Sequence, residues 1–214
     1  MSSTIKLYYW PKSKGNRVWW ALEELGVPFE KVKIDRLGGE HRKPEYLAIN
    51  PNGLVPALHI DGVNMFESLA MIIHLGQRFG VEKGLWPKVD SGEAAEALTW
   101  SMWGSVTYDP PSVLVALHDP DSTLHFALPK EERDPKLAAE GRKQTQELTR
   151  ILEARLSGRA YALGDRFTLV DCALITTVVR TKLCGIDIGE NKNVLAWFER
   201  CTSRPKFQMV MSAT

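Results

Sequence analysis

Within its first 35 residues the chain changes hydrophobic period twice, and this restricts the fold more than any other feature. Ile5, Leu7 and Tyr9 alternate with Lys6 and Tyr8, a period of two that fits a strand ending at Pro11, which has no N–H for a ladder. Val18, Ala21, Leu22 and Leu25 then recur at i, i+3, i+4 and i+7, so residues 15–25 read as an amphipathic helix closed by Gly26. Val32 and Ile34, interleaved with Lys31 and Lys33, return to a strand pattern. Strand, helix and strand over this span make a βαβ unit with parallel strands and a right-handed crossover.

The following residues add a short helix over 44–49, a strand over 55–60, an Asp61-Gly62 hairpin turn, an antiparallel strand over 63–66 and a helix from Glu67 to Phe79. From Gly80 to Gly92 the pattern dissolves into Gly84, Trp86-Pro87 and Asp90-Ser91-Gly92, which predicts a domain boundary. Beyond it only helices are expected, over 93–117, 135–156, 169–183 and 194–202, with a short piece after Pro205. Thr168-Leu169-Val170-Asp171 has the form of a capping box, with Asp in place of the usual Glu or Gln. The expected architecture is an α/β domain over 1–80, a linker over 81–92 and an all-α domain over 93–214.

Composition narrows the function. A chain of 214 residues buries a sizeable core without disulfide staples. With 27 Lys and Arg against 26 Asp and Glu, the net charge of +1 supplies no general attraction to nucleic acid or anionic lipid. No run approaches the ~18 apolar residues of a membrane span, and Met1-Ser2-Ser3-Thr4 does not begin a secretory leader, so a cytoplasmic protein is expected. Cys172, Cys184 and Cys201 are widely spaced, which argues for reduced thiols and against a metal or CxxC site.

Three local features can carry chemistry. In Asn50-Pro51-Asn52-Gly53-Leu54-Val55-Pro56, the proline lies beside a strand that it cannot fully join. A cis Val55-Pro56 bond would turn the Val55 N–H and C=O outward to pair with a peptide-like ligand, whereas the plainer reading is a proline opening an edge strand. Glu67-Ser68 stands where a strand hands over to a helix: Ser68 can hold a carboxylate and Glu67 an ammonium, or both can be ordinary first-turn residues. The loop Trp10-Pro11-Lys12-Ser13-Lys14-Gly15-Asn16-Arg17 leads from the first strand into the first helix, where open α/β sheets bind ligands. Either Ser13 or Asn16 can cap that helix, and the loop has no cysteine, so it cannot run thiol–disulfide exchange.

Taken in order, Tyr8-Tyr9-Trp10-Pro11-Lys12-Ser13 with Arg17, His41-Arg42-Lys43-Pro44-Glu45-Tyr46-Leu47, Asn50-Pro51 to Val55-Pro56, Glu67-Ser68 and Thr168 to Asp171 resemble the cytosolic glutathione transferase family across nearly the whole chain. The similarity is to serine-using members of the delta, theta or zeta kind, or to a bacterial relative. It implies a thioredoxin-like domain followed by a helical one, glutathione as co-substrate, no metal and a homodimer with Met71 at the contact. It further implies that Val55, before a cis Pro56, binds the cysteinyl backbone, that Glu67 and Ser68 take the γ-glutamyl group, and that His41 approaches the glycyl carboxylate. Gly53 stands where such members often carry His or Lys, which implies that the glycyl end is held either more loosely or by Arg42 or Lys43. Ser13 takes the place of the catalytic hydroxyl, with Tyr9 its rival from the tyrosine-using classes and Lys14 a point charge beside the sulfur.

The energetics are consistent with that role. A free thiol of pKa ~8.5 is about 3% ionised at pH 7, and lowering it to ~6.5 requires about 2.7 kcal/mol. One hydroxyl-to-thiolate hydrogen bond of about 1.5–3 kcal/mol, with a helix N-terminus worth ~0.3–1 kcal/mol, covers this without a buried base. The hydrophobic electrophile would lie between the domains against Trp10, Trp103 and Tyr108, while Trp19 and Trp20 read as structural, at most one facing the sheet. Detoxifying conjugation is the leading reading. Isomerase, etherase, dehalogenase and peroxidase variants use the same thiolate, and the rival class is a non-catalytic module that keeps the fold to bind a partner.

Overall fold

The structure is a computed structural model that describes residues 4–124 and 126–213. Strands β1 (Ile5–Tyr9), β2 (Glu30–Lys33), β3 (Ala57–Ile60) and β4 (Val63–Met65) form one sheet in the order β2-β1-β3-β4. β1 and β2 are parallel, and β1–β3 and β3–β4 are antiparallel. The parallel pair is the product of the βαβ unit, with α1 (Gly15–Leu25) as its crossover. Asp61 and Gly62, at φ 48° and 82°, form the β3–β4 hairpin turn, since two consecutive positive φ values match the sheet's twist.

The two faces of the sheet are covered differently. α1 packs with α3 (Ser68–Leu75) and with β1, burying Val18, Leu22 and Leu25 with Ile72 and Leu75. On the opposite face Tyr46 of the short α2 (Pro44–Leu47) packs with Ile34 and Ala57, and Tyr8, Val32, Ile49 and Val55 close around them. Trp86 anchors the segment after α3: it is 2% exposed and lies so close to Gly76 that a Cβ there would stand 2.5 Å from its ring.

The chain divides into two compact units, one running to Ala94 and resuming at Thr202, the other Ala95–Cys201. The first unit therefore includes α9 (Pro205–Ser212), which packs along α1. Phe207 meets Trp20 edge-on at 5.0 Å, Arg204 makes a two-pronged ion pair with Glu24 at 2.7 and 2.8 Å, and Lys206 donates to the Glu23 carbonyl at 2.6 Å. Lys83 also donates to the Leu25 carbonyl, so cations occupy the negative end of the α1 dipole. Both tryptophans of α1 are buried for this reason: Trp19 faces Tyr9 of the sheet and Trp20 faces α9.

In the second unit the long helix expected over 93–117 is broken. α4 (Gly92–Trp103) passes through a π turn, Gly104–Tyr108, into α5 (Asp109–His118). Gly104 is approached so closely that a Cβ would stand 2.5 Å from Leu174 of α7 (Leu169–Leu183), and Pro110-Pro111 follows. α6 (Pro135–Leu156), packed against α5, and α8 (Lys192–Thr202) complete the unit. The capping box forms as read. Asp171 accepts from Thr168 N–H at 2.9 Å, and also from Ala162 N–H and the Trp197 indole at 2.9 and 2.8 Å. Among the described residues no helix is long and apolar enough to cross a membrane.

Candidate functional site

Ser13, Tyr9, Pro56 and Ser68 meet at the opening turn of α1. Ser13 lies two residues before the helix. Its hydroxyl accepts from Gly15 N–H at 3.1 Å and donates to the Trp10 carbonyl at 2.6 Å, while its carbonyl accepts from Asn16 N–H at 3.0 Å. The N-cap position itself falls to Lys14, whose side chain makes no capping hydrogen bond. Ser13 is thus a turn residue holding the first amide of the helix, a local use that serine shares with capping.

Gly15 shows how tightly this turn is set. A Cβ there would stand 3.1 Å from Ser13 Oγ, 3.2 Å from Tyr9 Cβ and 3.7 Å from Pro56 Cβ, so three separately chosen residues surround one backbone position. The Val55-Pro56 bond is cis. Val55 packs its side chain into the Tyr46 cluster, and among the described residues its backbone N–H and C=O have no hydrogen-bond partner. Tyr9 is occupied in packing, its ring edge-on to Trp19 at 5.2 Å.

One turn further along α1, Arg17 reaches α3. It is 5% exposed, and its Nε and Nη2 donate to Ser68 Oγ at 3.1 and 2.6 Å. With its oxygen taken up as acceptor, the Ser68 hydroxyl retains its own proton to donate, beside a buried guanidinium and at the positive end of a helix. Glu67, the N-cap of α3, is exposed and held at φ 67°, ψ 103°, a left-handed conformation that a non-glycine residue keeps only when its surroundings impose it. The first turn of α1 therefore touches both Pro56 and Ser68.

A cationic cluster lies in the turns that follow β2. His41 sits in a 3-10 turn, Glu40–Arg42. Burial first, then the charges of Arg42 and Arg36, hold its imidazole below the usual histidine range. Among the described residues His41 Nδ1 and Arg36 Nε are buried without a hydrogen-bond partner. Arg42 Nη1 donates to the Asn52 carbonyl at 3.3 Å. Gly53, at φ 58°, fits because a Cβ would stand 2.9 Å from both the His41 carbonyl and Arg42 Nη1, which explains why no larger residue occupies this position. Arg36 is not legible as a site residue in the sequence, since an arginine beside a Leu37-Gly38-Gly39 turn carries no distinctive spacing.

The aromatic candidates divide. Trp10 is half-buried with Lys33 Nζ 5.5 Å above its ring. In the helical unit Trp103 stacks on Tyr108 at 5.1 Å and meets Trp100 edge-on at 5.2 Å. Tyr108 itself is fully enclosed and shares a 2.9 Å hydrogen bond with Thr149, and burial raises its hydroxyl pKa. Tyr108 closes the π turn Gly104–Tyr108, and its ring presents no exposed surface in this structure.

Family models describe two parts of the chain: residues 13–78 match the glutathione S-transferase N-terminal domain and residues 101–205 the glutathione S-transferase C-terminal domain. Glutathione S-transferase GstB of Escherichia coli is 30% identical over 195 residues, covering 89% of this chain and 88% of that one. The theta class glutathione S-transferase of Xanthomonas axonopodis, solved with glutathione bound, superposes with a TM-score of 0.83 at 25% identity over 97% of each chain. Glutathione transferase F7 of Populus trichocarpa superposes with a TM-score of 0.81 at 29% identity over 98% of each. With both domains matched in their order, and a relative at this identity along most of its length, the chain belongs to the glutathione S-transferase family of enzymes.

Proposed function

We propose that the opening turn of α1 binds glutathione, ionises its thiol and directs it at a hydrophobic electrophile. The observation that carries this reading is the meeting of Ser13 Oγ, Tyr9 and Pro56 around Gly15, one residue from the free backbone groups of Val55. Val55 pairs with the cysteinyl backbone as an added antiparallel strand would, which brings the sulfur toward the α1 N-terminus. Ser68, backed by Arg17, takes the γ-glutamyl carboxylate and Glu67 its ammonium. His41 and Arg42 take the glycyl carboxylate at the other end. The bound glutathione in the Xanthomonas relative supports the choice of ligand.

In the free protein the Ser13 proton points at the Trp10 carbonyl. Rotation of the hydroxyl exchanges that hydrogen bond for one to the sulfur, and the thiolate gains a charge-assisted partner of about 1.5–3 kcal/mol. Tyr9 is less available, since its ring is committed to Trp19. With an aryl halide the thiolate lone pair forms the S–C bond, the halide leaves with its electron pair, and the thiol proton passes to solvent. Trp10 offers aromatic surface next to Ser13 for an apolar electrophile. Retention on immobilised glutathione together with turnover of an activated aryl chloride tests the reading. Retention without turnover assigns the chain to non-catalytic binding, and neither result leaves it as a partner-binding module.

A further inference from the structure

The Leu54 carbonyl receives two short hydrogen bonds from one side of the molecule. The Tyr46 hydroxyl donates to it at 2.6 Å and the Asn50 side-chain amide donates at 2.6 Å. Both donor residues are buried, Tyr46 at 3% and Asn50 at 2% exposure, so each is held in place by its surroundings. Burial pushes the Tyr46 hydroxyl up to about 12, which keeps it a donor at any ordinary pH. Asn50 is itself fixed, its Oδ1 accepting from Asn52 N–H at 3.1 Å and its carbonyl from Gly53 N–H at 2.9 Å. The Leu54 carbonyl belongs to the peptide unit that also carries the Val55 N–H, and that planar unit leaves the orientation of the N–H no freedom once the carbonyl is held.

We propose that Tyr46 is a positioning residue for ligand binding: with Asn50 it pins the Leu54–Val55 peptide plane and so aims the Val55 N–H at the ligand backbone. The inference rests on the glutathione reading above. A phenylalanine would fill the same place in the Ile34–Ala57 cluster, so the hydroxyl serves the carbonyl and adds nothing to the apolar packing. Without it the peptide plane keeps one donor and gains freedom to rock, and each bound ligand must first restore its orientation.

Steady-state kinetics and calorimetry with glutathione on Tyr46→Phe test this, with thermal unfolding alongside. The expected result is a KM and a Kd for glutathione raised about five-fold, the cost of re-ordering the freed peptide plane on binding. kcat and the KM of an aryl chloride should stay near wild type, with the unfolding midpoint lowered by no more than the few degrees that one lost hydrogen bond costs. Asn50→Asp, which replaces the second donor by a carboxylate, should weaken glutathione binding in the same sense. Wild-type binding with an unchanged glutathione KM in Tyr46→Phe overturns the positioning role alone. A drop in the unfolding midpoint with kcat and both KM values altered together also overturns it, by assigning the hydroxyl to general stability. Absence of glutathione binding by the wild type overturns the functional reading itself.

Discussion

The Arg17 guanidinium donates twice to the single hydroxyl oxygen of Ser68, at 2.6 and 3.1 Å, and so joins the first turn of α1 to the first residue of α3. This places a buried cation behind a helix N-terminus, where both favour an anion. Arg17→Lys keeps the charge but cannot reproduce the planar fork. We expect glutathione affinity to fall about ten-fold, equivalent to about 1.4 kcal/mol, as read by calorimetry. An unchanged Kd removes Arg17 from the γ-glutamyl site.

His41 supplies a pH signature. In the free protein burial, then the charges of Arg42 and Arg36, lower the pKa of its imidazole. A lowered folded pKa means that the unfolded chain takes up the proton first, so the group costs stability as pH falls below ~6.5. An arriving carboxylate reverses the balance and favours the protonated form. The complex then binds more protons than the free protein, and affinity rises as pH falls. S-methylglutathione, which has no thiol to titrate, should bind more tightly at pH 6 than at pH 7.5, and His41→Gln should abolish the slope.

Gly53 tests the fit of the neighbouring turn. Gly53→Lys must place a Cβ at φ 58° and 2.9 Å from the His41 carbonyl. We expect a loss of about 1–3 kcal/mol in chemical denaturation, with weaker glutathione binding as Arg42 is displaced. Stability equal to wild type contradicts the crowding argument.

Asp171 is the strongest test of the helical unit. It is fully buried and accepts from two backbone amides, at Thr168 and Ala162, and from the Trp197 indole. Asp171→Ala leaves these donors without an acceptor and should cost roughly 3–5 kcal/mol in unfolding free energy. A loss below about 1 kcal/mol contradicts the view that this carboxylate ties the α7 N-terminus to α8.

Much of the first unit is legible because its signals are local. The period change gives the βαβ unit, Asp61-Gly62 gives the hairpin, and Pro56 beside a strand raises the cis bond that the structure contains. What is missed depends on distant packing. No local pattern tells that α9 returns to cover Trp20, or that Leu174 presses on Gly104 where the chain takes a π turn. Within the site, Ser13 and Glu67-Ser68 stand out by position, whereas the Tyr46 hydroxyl is hidden in a residue that also reads as plain core.

Ionisation of the bound thiol tests the central claim most directly. Ultraviolet titration of the thiolate in the glutathione complex, for wild type and Ser13→Ala, reads it without turnover. We expect a wild-type pKa about two units below the free value of ~8.5, and a return of at least one unit toward it in the alanine variant, with kcat falling roughly ten- to hundred-fold. A bound thiol that titrates as it does in buffer, or one whose pKa ignores the loss of the Ser13 hydroxyl, contradicts the account.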